Sequence, residues 1–242
     1  GFLYGSNLVR DVASALVAVA IGVAFVSSVA RKSAGVSGAQ KEFDRRSERV
    51  AAMTGIDRAT TSAATGREFH PILDLVPVMI GVVGLVAAGL AAASDGFLTD
   101  ALSVARLLVG SLFLGAVTNA MLLGHWYLVQ PGLPRRHLNE LVDILGKVWP
   151  FEVLVLIAPT GMVSVLNGSI DDGWSGVLGW FWVTCALTTI VLVVVTKAAL
   201  RERQYSAVMA ATGLLYLAIL TAFGTDLVAR AILDAAVSSS AV

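Results

Sequence analysis

The chain has 242 residues, 57% hydrophobic and only 14% charged, with a mean hydropathy of +0.80. Soluble domains run nearer 45–50% apolar and about 25% charged, so a water-soluble globule is excluded. Seventeen basic residues balance seventeen acidic ones, which excludes a basic nucleic-acid binder, and the single cysteine, Cys185, excludes a disulfide framework or a multi-cysteine metal centre.

A helix needs about 20 mostly apolar residues to cross about 30 Å of hydrocarbon. Six stretches pass that test: residues 11–30, 73–93, 102–128, 148–166, 174–196 and 205–225. Alternating polar and apolar strands are absent, which argues against a membrane barrel. The expected fold is therefore all-α, a polytopic membrane bundle forming one transmembrane domain over 1–242. The chain opens Gly-Phe-Leu-Tyr, without the basic start and small-residue cleavage site of a signal peptide. The expectation is either a further span upstream, making seven, or a first helix that inserts N-out unaided.

The first span leads into a long polar segment, residues 31–69. Its middle, Gln40–Met53, reads as a short charged helix with Phe43, Val50 and Met53 on one face, suited to a membrane surface, a lipid headgroup or a partner. This segment, residues 126–147 and residues 197–204 together carry fourteen of the seventeen basic residues, and the opposite side has Arg10, Arg106 and Arg230. Positive charge marks the cytoplasmic side, so both chain ends are expected outside, in what composition suggests is a bacterial inner membrane.

Ionisable groups in or near spans are costly and mark pathways, cofactors or helix contacts. Asp74 opens the second span, four residues after His70. His125 closes the third, in Gly124-His125-Trp126-Tyr127, and His137 opens the segment before the fourth. Glu152 follows Pro150, about one turn into the fourth span as delimited here. These directions put His70, His125 and His137 in one cytoplasmic layer with Asp74 and Glu152 near it.

Two chemistries fit that layer. His125 and His70 could be axial ligands of a b-type haem, the only metal centre the residues suggest. Alternatively histidine beside a carboxylate, with Trp126, Tyr127 and His137 nearby, could hold a quinone headgroup and pass its protons through Asp74 and Glu152. The competing structural reading is an interfacial aromatic belt.

Along the third span Ser111, Gly115 and Asn119 form a small-to-polar stripe, either a packing seam or the lining of a path. Gly81, Gly84 and Gly89 in the second span read as packing material. In the fifth, Thr184, Thr188 and Thr189 can bond to their own helix. Cys185 reads there as a small apolar side chain. Asp226 and Arg230 read as a surface pair, with Arg10 and Asp11 as alternative partners.

Pro150 and Pro159 interrupt the fourth span beside Glu152, as in transporters with broken helices, yet the other half shows no matching break. Walker, nucleophile-elbow and dinucleotide motifs are absent. The expected function is a membrane subunit of an electron-transfer complex, with lipid and other membrane subunits as partners and no catalysis of its own. A transport or channel component, or a purely structural subunit, is the alternative.

Overall fold

The computed structural model describes residues 8–30, 72–91, 96–129, 135–158, 161–202 and 204–240. These are mostly helical and hold no strand: α1 (Leu8–Ala30), α2 (Ile72–Ala91), α3 (Phe97–Val129), α4 (Arg136–Ile157), α5 (Met162–Leu166), α6 (Val177–Arg201) and α7 (Tyr205–Ser240). Five of them (α1, α2, α3, α6 and α7) are long and apolar enough to cross a membrane. Exposed apolar side chains such as Phe25, Leu187, Val194 and Leu220 cover their outer faces, which suits lipid contact. His70, the loop 31–69 and its expected helix lie outside the described residues.

The chain divides into two compact units, 1–91 and 92–242. In the first, α1 and α2 form a hairpin seamed by small residues. A Cβ on Gly84 would meet Ala13 at 3.0 Å, and one on Gly81 would meet Val17 at 3.9 Å. Close backbone approach is what small residues supply where lipid removes the hydrophobic drive for helix association.

The second unit is a four-helix bundle. Each long helix carries a stripe at alternating three- and four-residue spacing. On α3 it is Phe113, Val117, Ala120, Gly124 and Tyr127; on α4, Leu138, Val142, Leu145, half-buried Trp149, Glu152 and Leu156. On α6 it is Trp182, Ala186, Thr189, Val193 and Thr196, and on α7, Leu215, Ala218, Ala222, Thr225 and Ala229. That 3.5-residue repeat keeps one seam facing inward along a nearly antiparallel bundle.

Specific contacts fix the order of the helices. The Arg106 guanidinium (α3) reaches the far end of α4 at Val155. Trp149 (α4) donates to the Ala186 carbonyl (α6) over 3.0 Å. Thr189 (α6) meets Thr221 (α7) at 2.8 Å, and Gly124 (α3) abuts Thr212 (α7). Every adjacent pair is thus antiparallel, in the ring α3–α4–α6–α7. Arg135 closes one end by donating to the carbonyls of Glu202 and Gln204.

The fourth expected span is not one helix. Residues 148–166 divide between α4 and α5, and α4 begins twelve residues before Val148. Hydropathy misses its first three turns because Arg136, Glu140 and Lys147 occupy the exposed face while Leu138, Val142 and Leu145 fill the core. The helix stops at Ile157, with Ala158 extended (φ −81°, ψ 150°), since Pro159 has no N–H for the Val155 carbonyl. Likewise α7 runs fifteen residues past Thr225.

Candidate functional site

Both ends of the bundle hold titratable groups, in opposite settings. At one end, which Lys197 marks, they lie on the surface. His125 is exposed on α3, and its Nδ1 stands 3.0 Å from the Tyr216 hydroxyl of α7, the rings meeting edge to face. Trp126 is also exposed, whereas Tyr127 is buried with its hydroxyl at the Leu138 amide. His137 is exposed on the first turn of α4, with Nδ1 3.7 Å from the Glu140 carboxylate. The Arg136 guanidinium, bonded to that carboxylate, holds it below the usual glutamate range. Lys197 pairs across helices with Asp143.

Toward the opposite end, where Asp172 caps α6, charge lies inside. Glu152 is fully buried on the core stripe of α4; no amide, hydroxyl, indole or guanidinium donates to its carboxyl oxygens, and the Asp226 carboxyl is the group placed to share a proton with it. The Asp226 carboxyl and the Arg230 guanidinium of α7 are the charged groups that act on it. Asp226 is 2% exposed, and its Oδ1 accepts from Arg230 Nε at 2.7 Å. Arg230 Nη2 donates to the Arg106 carbonyl at 2.6 Å.

Arg106 extends the network to the helix break. Its Nε donates to the Val155 carbonyl at 2.9 Å and its Nη2 to the Ala158 carbonyl at 2.7 Å. The first of these carbonyls is the one that Pro159 leaves without its usual amide. Gly110 makes room for the cluster, because a Cβ there would stand 2.1 Å from Arg230 Nη2 and 2.6 Å from Asp226 Oδ1.

Depth can be read from helix rise. Nine residues separate Asp143 from Glu152 on α4, about 13 Å at about 1.5 Å per residue. On α6, Cys185 abuts Gly224, two residues short of Asp226, and lies nine residues from the cap at Gly176, again about 13 Å. Allowing for those two residues, the acid pair lies about 13 Å inward of the Asp143–Lys197 pair and about 10 Å inward of the α6 cap, nearer the Asp172 end.

The Asp172 end is itself tightly tied. Asp172 Oδ1 accepts from the amides of Trp174 and Gly176, and Oδ2 from that of Leu178, all within 2.9 Å. The Gly176 amide above all holds this carboxyl below the usual aspartate range. Gly176 has φ +85°, a left-handed conformation that glycine adopts without strain.

The structure regroups the expected residues. Glu152 does not belong with the histidines: it lies four turns into α4, because that helix starts earlier than hydropathy indicates. Asp226 and Arg230 are not a surface pair, because α7 continues beyond them; Arg10 pairs instead with its neighbour Asp11. Asn119 is exposed and its amide returns to the Gly115 carbonyl of its own helix, as the Ser111 hydroxyl does to Leu107. Asp74 is exposed in the first turn of α2. Among the described residues no three His, Cys, Asp or Glu side chains gather as a metal site. Arg106, Asp226 and Arg230 are what sequence reasoning missed as site residues. The α7 stripe, followed past Thr225 to Ala229 and Ile232, carries the signal. No family model, curated protein or solved structure matches the chain.

Proposed function

We propose that the chain is an integral subunit of a larger membrane assembly and that its bundle handles protons at Glu152 and Asp226. One observation carries this reading: Glu152 is wholly buried inside an apolar bundle, with a second carboxyl beside it and no other hydrogen-bonding group supplied to its oxygens. Such a group is expensive, and a core stripe that needed only packing would hold leucine there. The Arg230 guanidinium bonded to Asp226 offers one positive charge to two buried carboxyls, so the pair is left with one proton to share and exchange. The basic residues at the Lys197 end support an orientation with that end in the cytoplasm of a bacterial cell.

The test is infrared spectroscopy of the reconstituted protein through a pH titration in H2O and D2O. The expected result is a carboxylic-acid C=O band that titrates, shifts in D2O and disappears in Glu152→Gln. Spectra of wild type and variant with the same carboxylic-acid bands would overturn the reading.

A second reading, an electron-transfer subunit, draws on His125. Its exposed imidazole and the Tyr216 hydroxyl bridge two helices on the outside of the bundle beside exposed Trp126. A lipid-soluble quinone approaching laterally would find there a hydrogen-bonding pair and an aromatic face. Haem b fits less well, since the recorded partner of the His125 ring is a phenol and His137 turns to Glu140. Co-purified quinone lost in Tyr216→Phe and His125→Ala would support this reading, and retention in both would remove it.

A further inference from the structure

We infer that the acid pair exchanges its proton with the Asp172 end of the bundle, along the edge held by Arg230, and is sealed from the Lys197 end. The inference rests on the proton reading above and adds its sidedness.

The seal is the core itself. Between Glu152 and the Asp143–Lys197 pair the bundle is filled by Val117, Leu145, Val148, Leu215, Ala218 and Ala222, none more than 9% exposed. The hydroxyl of Thr189 lies in this stretch and is used locally, donating to the Cys185 carbonyl and meeting Thr221. The next buried hydroxyl on that stripe, Thr196, is two turns further, about 10 Å away. No single hydrogen bond spans that gap, and water gains nothing by entering an apolar space with too few polar partners.

Polar groups continue in the other direction. One turn beyond Asp226, the Arg230 side chain is 23% exposed, so the network that begins at buried Glu152 ends at the surface of the unit. Arg230 grips the Arg106 carbonyl, and Arg106 grips the last carbonyls of α4, where the helix breaks. About half a turn outward from the acid pair on α6, Trp182 Nε1 is a buried donor with no partner. A guanidinium does not give up its proton; it orders a polar edge by which water reaches Asp226 and Glu152.

Sided chemical labelling tests this. The protein is reconstituted in sealed vesicles of mixed orientation and treated from outside with a water-soluble, membrane-impermeant carbodiimide, which modifies protonated carboxyls. After quenching, external trypsin cuts chains whose Lys197 end faces out, at exposed Arg201. Modification of Glu152 is read by peptide mass, with Glu152→Gln as the blank, and a membrane-permeant carbodiimide serves as a parallel sample.

The expected result is Glu152 label confined to uncut chains. Label shared equally with cut chains, or found mainly in them, would overturn the sidedness. Label from the permeant reagent alone would also overturn it, by showing no aqueous access from either end. Failure of both reagents would instead overturn the proton reading beneath it.

Discussion

The two ends of the four-helix bundle use similar residue types for different purposes. At the Lys197 end, Lys197, Asp143, His125 and His137 lie on the outside, where ions keep their water and pairing is worth little. Toward the Asp172 end, Glu152 and Asp226 lie inside, where an unmatched charge costs several kcal/mol. Two of the residues that look most chemical in the sequence, His125 and His137, therefore occupy the ordinary setting. An isolated glutamate and an apparent surface ion pair occupy the expensive one. Position relative to the packing stripe separates the two classes.

The contrast is sharpest when a cation is removed at each end. Arg230→Met strands a carboxylate that is 2% exposed and should destabilise the protein by about 3–5 kcal/mol. Lys197→Met removes a half-exposed partner and should cost about 0–1 kcal/mol. Thermal midpoints in detergent measure both, and equal losses would erase the distinction between the ends.

Gly110→Ala attacks the same cluster sterically. Its Cβ would press on Arg230 Nη2, so a loss of about 1–3 kcal/mol is expected. Gly213, which has open space around its Cβ position, serves as the control: Gly213→Ala should not destabilise.

Glu152→Leu reverses the sign. Replacing a buried carboxyl, whose one hydrogen-bonding neighbour is a second carboxyl, by an apolar side chain on the same core stripe should raise stability by about 1–3 kcal/mol while abolishing the titrating carboxyl band. A destabilised variant would mean that Glu152 has a structural partner and is not held at a cost.

The smallest expected effect concerns the Asp172 cap and pH. Backbone amides depress this carboxyl in the folded state. Its contribution is therefore complete above the unfolded value of about 3.9 and is lost as pH falls through the lower folded value. Asp172→Asn should remove that acid-side slope and leave the behaviour above about pH 5 unchanged. An acid limb identical to wild type would show that the cap does not contribute to it.

Much of the helical content was legible, because long apolar runs can satisfy their backbone in lipid only as helices. The spans at α1, α2, α3 and α6 fall within a few residues of the helices observed. What was not legible follows from one cause, which is that average hydropathy discards direction. The first half of α4 averages polar, so hydropathy places residues 136–147 between spans, although Leu138, Val142 and Leu145 form a continuous inward stripe. Hydropathy ends the last span at Thr225 because Asp226 and Arg230 lower the average, although Ala229 and Ile232 continue the stripe. Both errors moved charged residues to the surface, so the site formed by Glu152, Asp226, Arg230 and Arg106 could not be assembled.

Composition and periodicity by themselves determined that this chain is helical, suited to lipid, asymmetric in basic charge and built on small-residue seams. Each of those properties is a local sum or a local repeat. Only the tertiary structure decided which carboxyls lose their water. Burial of Glu152 depends on four stripes closing around it, and the depth of Asp226 depends on α3 at Gly110 and α4 at Glu152 packing against it. No segment of sequence contains that information, because desolvation is imposed on a charge by the helices packed against it.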